Sequence, residues 1–447
     1  MKHFLQVSFV FLLTTTFLSS CKTSFTPPTP TKGSIDPTRF VAIGSTMTAG
    51  YADGALSYQT QQNSFVNLMA GQFKLVGSGS FNQPLVSSNS IGVGSSGAAP
   101  LKMGYATDCL GVTSLSPVPA ANNGDVSIFS TSVYSSQGPF NNMGVPGAKV
   151  ITIIAAGYGN PANGAGNYNP FFYRMAANPA TSSILSDATA LNPTFFSLLI
   201  GTDDVLSYAM AGGATDSITS TANFTAALNV IVNGMTANGA KGVIGNIPDL
   251  LSMPFFTTIP YNGLALDSNN ASLMNLVYNT RNIYFHIGNN PFLIMDPSAP
   301  YGVRLLKSDE YLLLDAPLDS IKCDGLGSYY RGIPNQYVLT ESEIAKIQAA
   351  ISSYNSIIQA TAQAKGLAFV DLNAFFKSVS AQSGIVYNAV AMNAQFVKGG
   401  IFSLDGIDLN PIGQAMLANQ YINAINLKFG ATIPQLNATA YQGIIFP

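Results

Sequence analysis

The sequence predicts an α/β fold in which helices cover both faces of a parallel sheet. Two observations point there, and a third narrows the choice. Short, wholly apolar runs recur along the chain, the kind of strand that lies buried on both faces. Segments with apolar residues at helical spacing separate them, so strands and helices alternate. No internal repeat is visible in the 447 residues, which sets aside solenoid architectures.

Phe40-Val-Ala-Ile-Gly44 is the opening strand, and Ser45-Thr-Met-Thr-Ala-Gly50 breaks it with small and hydroxyl-bearing residues. A strand ending in such a turn before a helix presents its hydroxyls at the carboxyl edge of the sheet, where open α/β folds bind ligands. Residues 63–73 space Phe65, Leu68, Met69 and Phe73 as a first helix. Residues 76–140 lack periodicity and read as a long insertion of loops and short strands. The α/β pattern resumes at Asn142, and 160–180 is loop-like around the aromatic knot Pro170-Phe-Phe-Tyr173. Thr194–Gly201 is the next buried strand, followed by Thr202-Asp203-Asp204. A helix over 222–238 carries Phe224, Leu228, Ile231, Val232 and Met235 on one face, and Lys241–Pro248 is a further strand. A second irregular insertion spans 251–335. Thr340 with Glu343 forms a capping box that opens a long helix, lined by Ile344, Ile347, Ile351, Tyr354 and Ile358. Gly366–Leu372 is the last strand and 411–429 the C-terminal helix. From residue 37 onward the chain reads as one domain with two insertions.

The N-terminus is a processing signal rather than fold. Lys2 supplies a positive start, Phe4 to Phe17 an apolar core, and Leu18-Ser-Ser-Cys21 is like a bacterial lipobox, in which the Cys becomes the acylated first residue. Residues 22–36 are Pro, Thr and Lys with little to bury, an extended tether. Lys22 follows the Cys without an acidic run, which by likeness to lipoprotein sorting signals favours an outer-membrane anchor facing the periplasm, with surface display the alternative. The expected first partner is thus the lipid bilayer, through acylated Cys21. No other run approaches the 18 or more apolar residues that cross a bilayer. Charged residues make up only 9% of the chain and the net charge is −2 with no basic stripe, which argues against nucleic acid as a partner. Cys109 and Cys323 remain after Cys21, and an oxidising compartment makes a disulfide between them the expected state.

Four segments, in order, resemble the SGNH (GDSL) hydrolase family. Gly44-Ser-Thr-Met-Thr-Ala-Gly50 resembles Gly-Asp-Ser-Leu-Thr-Ala-Gly, and Gly201-Thr-Asp-Asp204 resembles Gly-x-Asn-Asp. Asp405-Gly-Ile-Asp408, followed by Leu-Asn-Pro-Ile-Gly413, resembles Asp-x-x-His before a helix, and Asn142-x-Gly-Val-Pro-Gly147 is similar to the segment that supplies an oxyanion Gly. The long insertions resemble a lipoprotein branch of that family found in Bacteroidetes. The resemblance implies a three-layer, flavodoxin-like α/β/α sandwich. It also implies a Ser nucleophile, a His base oriented by an Asp, and an oxyanion held by backbone N–H groups and an Asn amide.

Carried onto this chain, the nucleophile position is Thr46, the Asn position Asp203, the His position Asp408, the orienting position Asp405 and the oxyanion Gly Gly144. The methyl of Thr crowds the approach to a carbonyl. Asp203 puts an anion where negative charge must develop, and losing one oxyanion donor already costs about 3 kcal/mol. Asp408 is a base with a pKa of about 4, too weak to deprotonate a hydroxyl well. The only His after the signal segment, His286, lies in the second insertion, away from every motif. A degenerate hydrolase that acts by binding is therefore the leading expectation. An active carboxylic-ester hydrolase using Thr46 and a purely structural envelope lipoprotein are the alternatives. Asp203, Asp405 and Asp408 with Ser45 and Thr46 would suit calcium or the hydroxyls of a glycan, with Phe171, Phe172, Tyr173, Phe255 and Phe256 as stacking walls.

Overall fold

The computed structural model describes residues 29–329 and 331–447, so Cys21 and the signal-like segment 1–21 lie outside the described residues. Five of the apolar runs form one sheet: β1 (Phe40–Gly44), β2 (Asn142–Gly144), β3 (Phe195–Leu199), β4 (Lys241–Gly245) and β5 (Ala368–Val370). The spatial order is β5-β4-β3-β1-β2 and every pairing is parallel, with Gly44 opposite Gly144 on one side and Leu199 on the other. This is the doubly wound 2-1-3-4-5 order. β1 and β3 are buried along their whole length, as continuous apolar runs require. Each of Phe40, Val41 and Ile43 withdrawn from water is worth about 1.5–3 kcal/mol.

Helices cover the sheet as the periodicity predicts. α1 (Thr46–Ala49) is a single turn directly after β1, and α2 (Phe65–Lys74) packs on α6 (Pro411–Phe429). α3 (Asp203–Met210) follows β3, and α4 (Thr221–Thr236) packs on α5 (Glu341–Ala364) through the stacked rings of Phe224 and Tyr354, 3.9 Å apart. α5 begins with the expected capping box, the Thr340 N–H donating to Glu343 at 2.9 Å. α6 begins with Asn410, whose side chain accepts from Gly413 N–H at 3.0 Å, and Pro411 occupies the first helical position.

The irregular regions hold more structure than their composition suggests. In the first insertion Leu101–Thr107 and Thr113–Pro119 pair as an antiparallel hairpin. The second insertion builds a small core of its own, including Leu264, Met274, Phe285, Leu293, Leu312 and Ile333. Cys109 and Cys323 are disulfide-bonded, Cα atoms 6.4 Å apart, and so tie the two insertions together. Pro170–Met175, expected as loop, is a short helix because Asn169 caps it by accepting from Phe172 N–H and Pro170 starts it. The tether is shorter than expected. Ser34 N–H donates to Phe429 O at 2.9 Å, Thr31 pairs with Thr432, and Ile35 is buried, because one apolar residue finds a slot at the end of α6.

Candidate active-site cleft

The strand order decides where a site can form. The chain leaves β1 toward β2 at one edge and leaves β3 toward β4 at the other, so the carboxyl ends of β1 and β3 flank a crevice. Thr46 follows β1 and Asp203 follows β3, and they meet there: the Thr46 hydroxyl donates to Asp203 Oδ1 at 3.0 Å. Gly201 makes the bend possible. Its φ of +96° is in the left-handed region, and a Cβ there would lie 2.8 Å from the Phe224 ring. Asp203 sits in the first turn of α3, where the helix dipole favours a carboxylate.

β2 contributes differently from the expectation. Gly147 N–H donates to the Thr46 hydroxyl at 3.2 Å, whereas Gly144 N–H is taken by the side chain of Asn142 at 2.9 Å. The amide facing the Thr46 hydroxyl is thus that of Gly147, not Gly144. The sequence signal was present, since Gly147 is the last residue of the quoted motif, but only the turn after β2 shows which glycine projects its N–H.

The segment before α6 brings the carboxylates. Asp405 is a structural acceptor: Oδ1 takes the N–H groups of Ile407 and Asp408, and Oδ2 that of Gly54, each at 2.8 Å. It thereby holds Asp408 against the β1–α1 region. Asp408 is 4% exposed, and its Oδ1 has no hydrogen-bond partner among the described residues. Burial, then the charges of Asp405, Asp203 and Asp53, hold its carboxyl well above the usual range. Burial likewise pushes Asp203 up, opposed by the Ser45 and Thr46 hydroxyls, the Thr46 N–H and the more distant charge of Lys149. Its Oδ2 also lacks a partner among the described residues.

Asp53 and Tyr51 join the site without a sequence motif to announce them. Asp53 has a left-handed φ of +55°, accepts from Leu404 N–H at 2.9 Å, and burial pushes its pKa up to about 6. Tyr51 is pushed to about 12, chiefly by burial, and it feels the charges of Asp408 and Asp405. Lys149 pairs with Asp216 at 2.8 Å, which leaves the cleft acidic.

Several expectations are corrected. Phe171, Phe172, Phe255 and Phe256 are buried core, not stacking walls, and only Tyr173 is half-buried. His286 is exposed in the second insertion, its backbone N–H bonded to Asn290. Among the described residues no group of three or more His, Cys, Asp or Glu could hold a metal ion. Asp405, one of the carboxylates expected to serve calcium, spends its oxygens on backbone N–H groups. Among those residues, no helix is long and apolar enough to cross a membrane.

No family profile matches the chain, and no curated protein matches it in sequence. Solved structures with similar architecture include a lipase/acylhydrolase from Enterococcus faecalis, at 11% identity and TM-score 0.33, covering 89% of this chain and 98% of that one. A GDSL-like lipase from Parabacteroides merdae gives 11% identity and TM-score 0.34, covering 89% of this chain and 100% of that one. LAE5, an α/β hydrolase from the metagenome of Lake Arreo in Spain, gives 11% and 0.35, with 88% and 96% covered. At scores this low the activities of those proteins do not pass to this chain.

Proposed function

We propose that the protein is a membrane-anchored lipoprotein of SGNH-hydrolase descent whose cleft no longer hydrolyses esters and instead binds a ligand, an ester or a glycan. One observation carries this reading. The Thr46 hydroxyl points at a buried carboxylate, Asp203, where a hydrolase needs a donor to the oxyanion. Asp408, at the position of the base, is buried among other acids that raise its carboxyl well above the usual range, an environment that disfavours the charged form a general base needs. The unpartnered oxygens of Asp408 and Asp203 are the groups a ligand hydroxyl would meet.

A second reading has its own support. The 3.0 Å contact would let Asp203, its pKa raised by burial, take the Thr46 proton, which makes an esterase with a Thr–Asp pair chemically conceivable. Hydrolysis of a short-chain p-nitrophenyl ester by residues 22–447 separates the two. Wild type indistinguishable from Thr46→Ala, with turnover gained in the Asp203→Asn, Asp408→His double variant, is the expected result. Wild-type turnover that Thr46→Ala or Asp203→Asn abolishes would establish the esterase instead.

Anchoring belongs to the same proposal. Acylation at Cys21 would attach the chain through residues 22–30, and the docked stretch 31–35 lies at the far end of α6 from the cleft. At 1.5 Å per residue, the 19 residues of α6 set the cleft and the docked stretch 31–35 roughly 28 Å apart. Radiolabelled palmitate incorporation that is lost in Cys21→Ser, with release of the protein from the membrane fraction, is the expected outcome.

A further inference from the structure

A cavity of about 330 Å³ adjoins the cleft and takes no part in the chemistry above. Asp53 borders it, the same residue whose charge acts on Asp408. Its apolar lining comes from Leu101 and Met103 of the hairpin and from Leu404 and Leu409, and the last six residues, Gln442–Pro447, close one side. Within that tail Ile445 is 64% and Phe446 53% exposed, large side chains left in water beside an apolar space. The volume falls in the range of small-ligand sites, roughly 300–1,000 Å³.

A buried polar atom sets the chemistry. Gln414 lines the cavity and is 2% exposed. Its Oε1 accepts from Phe65 N–H at 3.0 Å, which fixes which end of the amide is oxygen, and its Nε2 has no partner among the described residues. A buried donor left unpaired is costly, so an acceptor oxygen brought into the cavity has something to gain. At the rim stand the amides of Gln59 and Asn63 and the Asp53 carboxyl, groups that suit hydroxyls. Lys102 is the cation there, set against the Asp53 carboxyl, a balance that does not favour an anionic head.

We propose that this cavity is a second binding site, for an uncharged single-chain amphiphile: an acyl chain among Leu101, Met103, Leu404 and Leu409, its ester carbonyl on the Gln414 amide and its hydroxyls on Asp53, Gln59 and Asn63. The C-terminal tail is the wall that folds over the chain. This site stands apart from the Thr46 cleft and does not depend on whether that cleft binds or hydrolyses.

The chain has no tryptophan, so Phe446→Trp in residues 22–447 places a single indole on the tail. Titration with 1-monododecanoylglycerol below its aggregation concentration is expected to give a saturable blue shift of the indole emission. In that background Gln414→Met removes the amide donor and weakens binding about tenfold. Leu101→Phe, at a half-buried position, fills the space and weakens binding at least as much, which preserves the test should Gln414→Met fold poorly. Dodecanoate binds about tenfold more weakly than the glyceride. Absence of a saturable shift, or equal shifts in wild-type-lined, Gln414→Met and Leu101→Phe cavities, overturns the site. Equal binding of dodecanoate overturns the uncharged head. The readout is emission from the tail rather than ester turnover, so its failure is separate from failure of the cleft reading.

Discussion

Single residues set the character of the cleft. Gly201 is a backbone requirement: at φ +96° an Ala would be strained, and its Cβ would press on the Phe224 ring at 2.8 Å. Gly201→Ala is expected to cost about 2–4 kcal/mol in urea unfolding and to displace α3 from the Thr46 hydroxyl. Asp408 is the opposite case, a residue that stability alone would not choose. Its carboxyl is buried with an oxygen unpartnered, against three other acids. Asp408→Asn removes the proton-dependent part of that burden, so a higher melting temperature at pH 8 is expected, with little change at pH 4. A drop at pH 8 would mean that the ionised Asp408 has a partner that stabilises it.

At the scale of elements, the site depends on how α6 begins. Asn410 accepts from Gly413 N–H and donates to Gly400 O and Phe402 O, so it caps the helix and ties it to the loop carrying Asp405 and Asp408. Asn410→Ala is expected to lose about 1 kcal/mol for the cap and more for the carbonyls left unpaired. Faster amide hydrogen exchange confined to 400–413 would locate the loss. Elements also explain the insertions. The hairpin is a two-stranded unit outside the main sheet, and the Cys109–Cys323 bond, across a sequence separation of 214, ties it to the insertion that holds the small core around Leu293. Replacing both cysteines with Ser should cost about 2–5 kcal/mol. Proteolysis should then cut first within 101–119 and 264–338 while the sheet resists. Unchanged protection would make the disulfide redundant.

Across the whole molecule, buried carboxyls dominate the pH response. Asp53, Asp204 and Asp315 are each pushed up to about 6, chiefly by burial. For a carboxyl whose folded pKa lies above its unfolded value, the folded state holds the proton more tightly. The stability it gives is complete below the ordinary value near 3.8 and is lost as pH rises through about 6. For Asp53 that window is worth about 3 kcal/mol at most. The protein should therefore melt higher at pH 5 than at pH 8. Below about pH 4 the gain reverses, because Asp296, held at about 2 by Ser298 and Arg304, begins to lose its charge. Asp53→Asn keeps an acceptor for Leu404 N–H and should flatten part of the slope. A melting temperature that rises steadily from pH 5 to pH 8 would contradict the burial of these groups.

The strands, the main helices, the capping box at Thr340, the disulfide and the meeting of Thr46 with Asp203 were all legible in the sequence. The elements and the cap follow from local rules, namely apolar runs, 3.6-residue spacing and capping residues, while the disulfide followed from the oxidising compartment and the meeting of Thr46 with Asp203 from the family resemblance. Thr46, Asp203 and Asp408 drew attention because each stands inside a run of neighbours that resembles a family motif. Tertiary structure alone decided the rest, because those facts depend on contacts between residues distant in sequence. That Gly147 rather than Gly144 faces Thr46 is fixed by the turn after β2. That Asp53 joins the acids is fixed by the Ser403–Asp408 loop folding back on it across 350 residues. That the aromatic knots are core, and that the C-terminal tail walls a cavity under Gln414, depends on how the layers close. Periodicity reports which face of an element is apolar; it carries no information about which distant segment will cover that face.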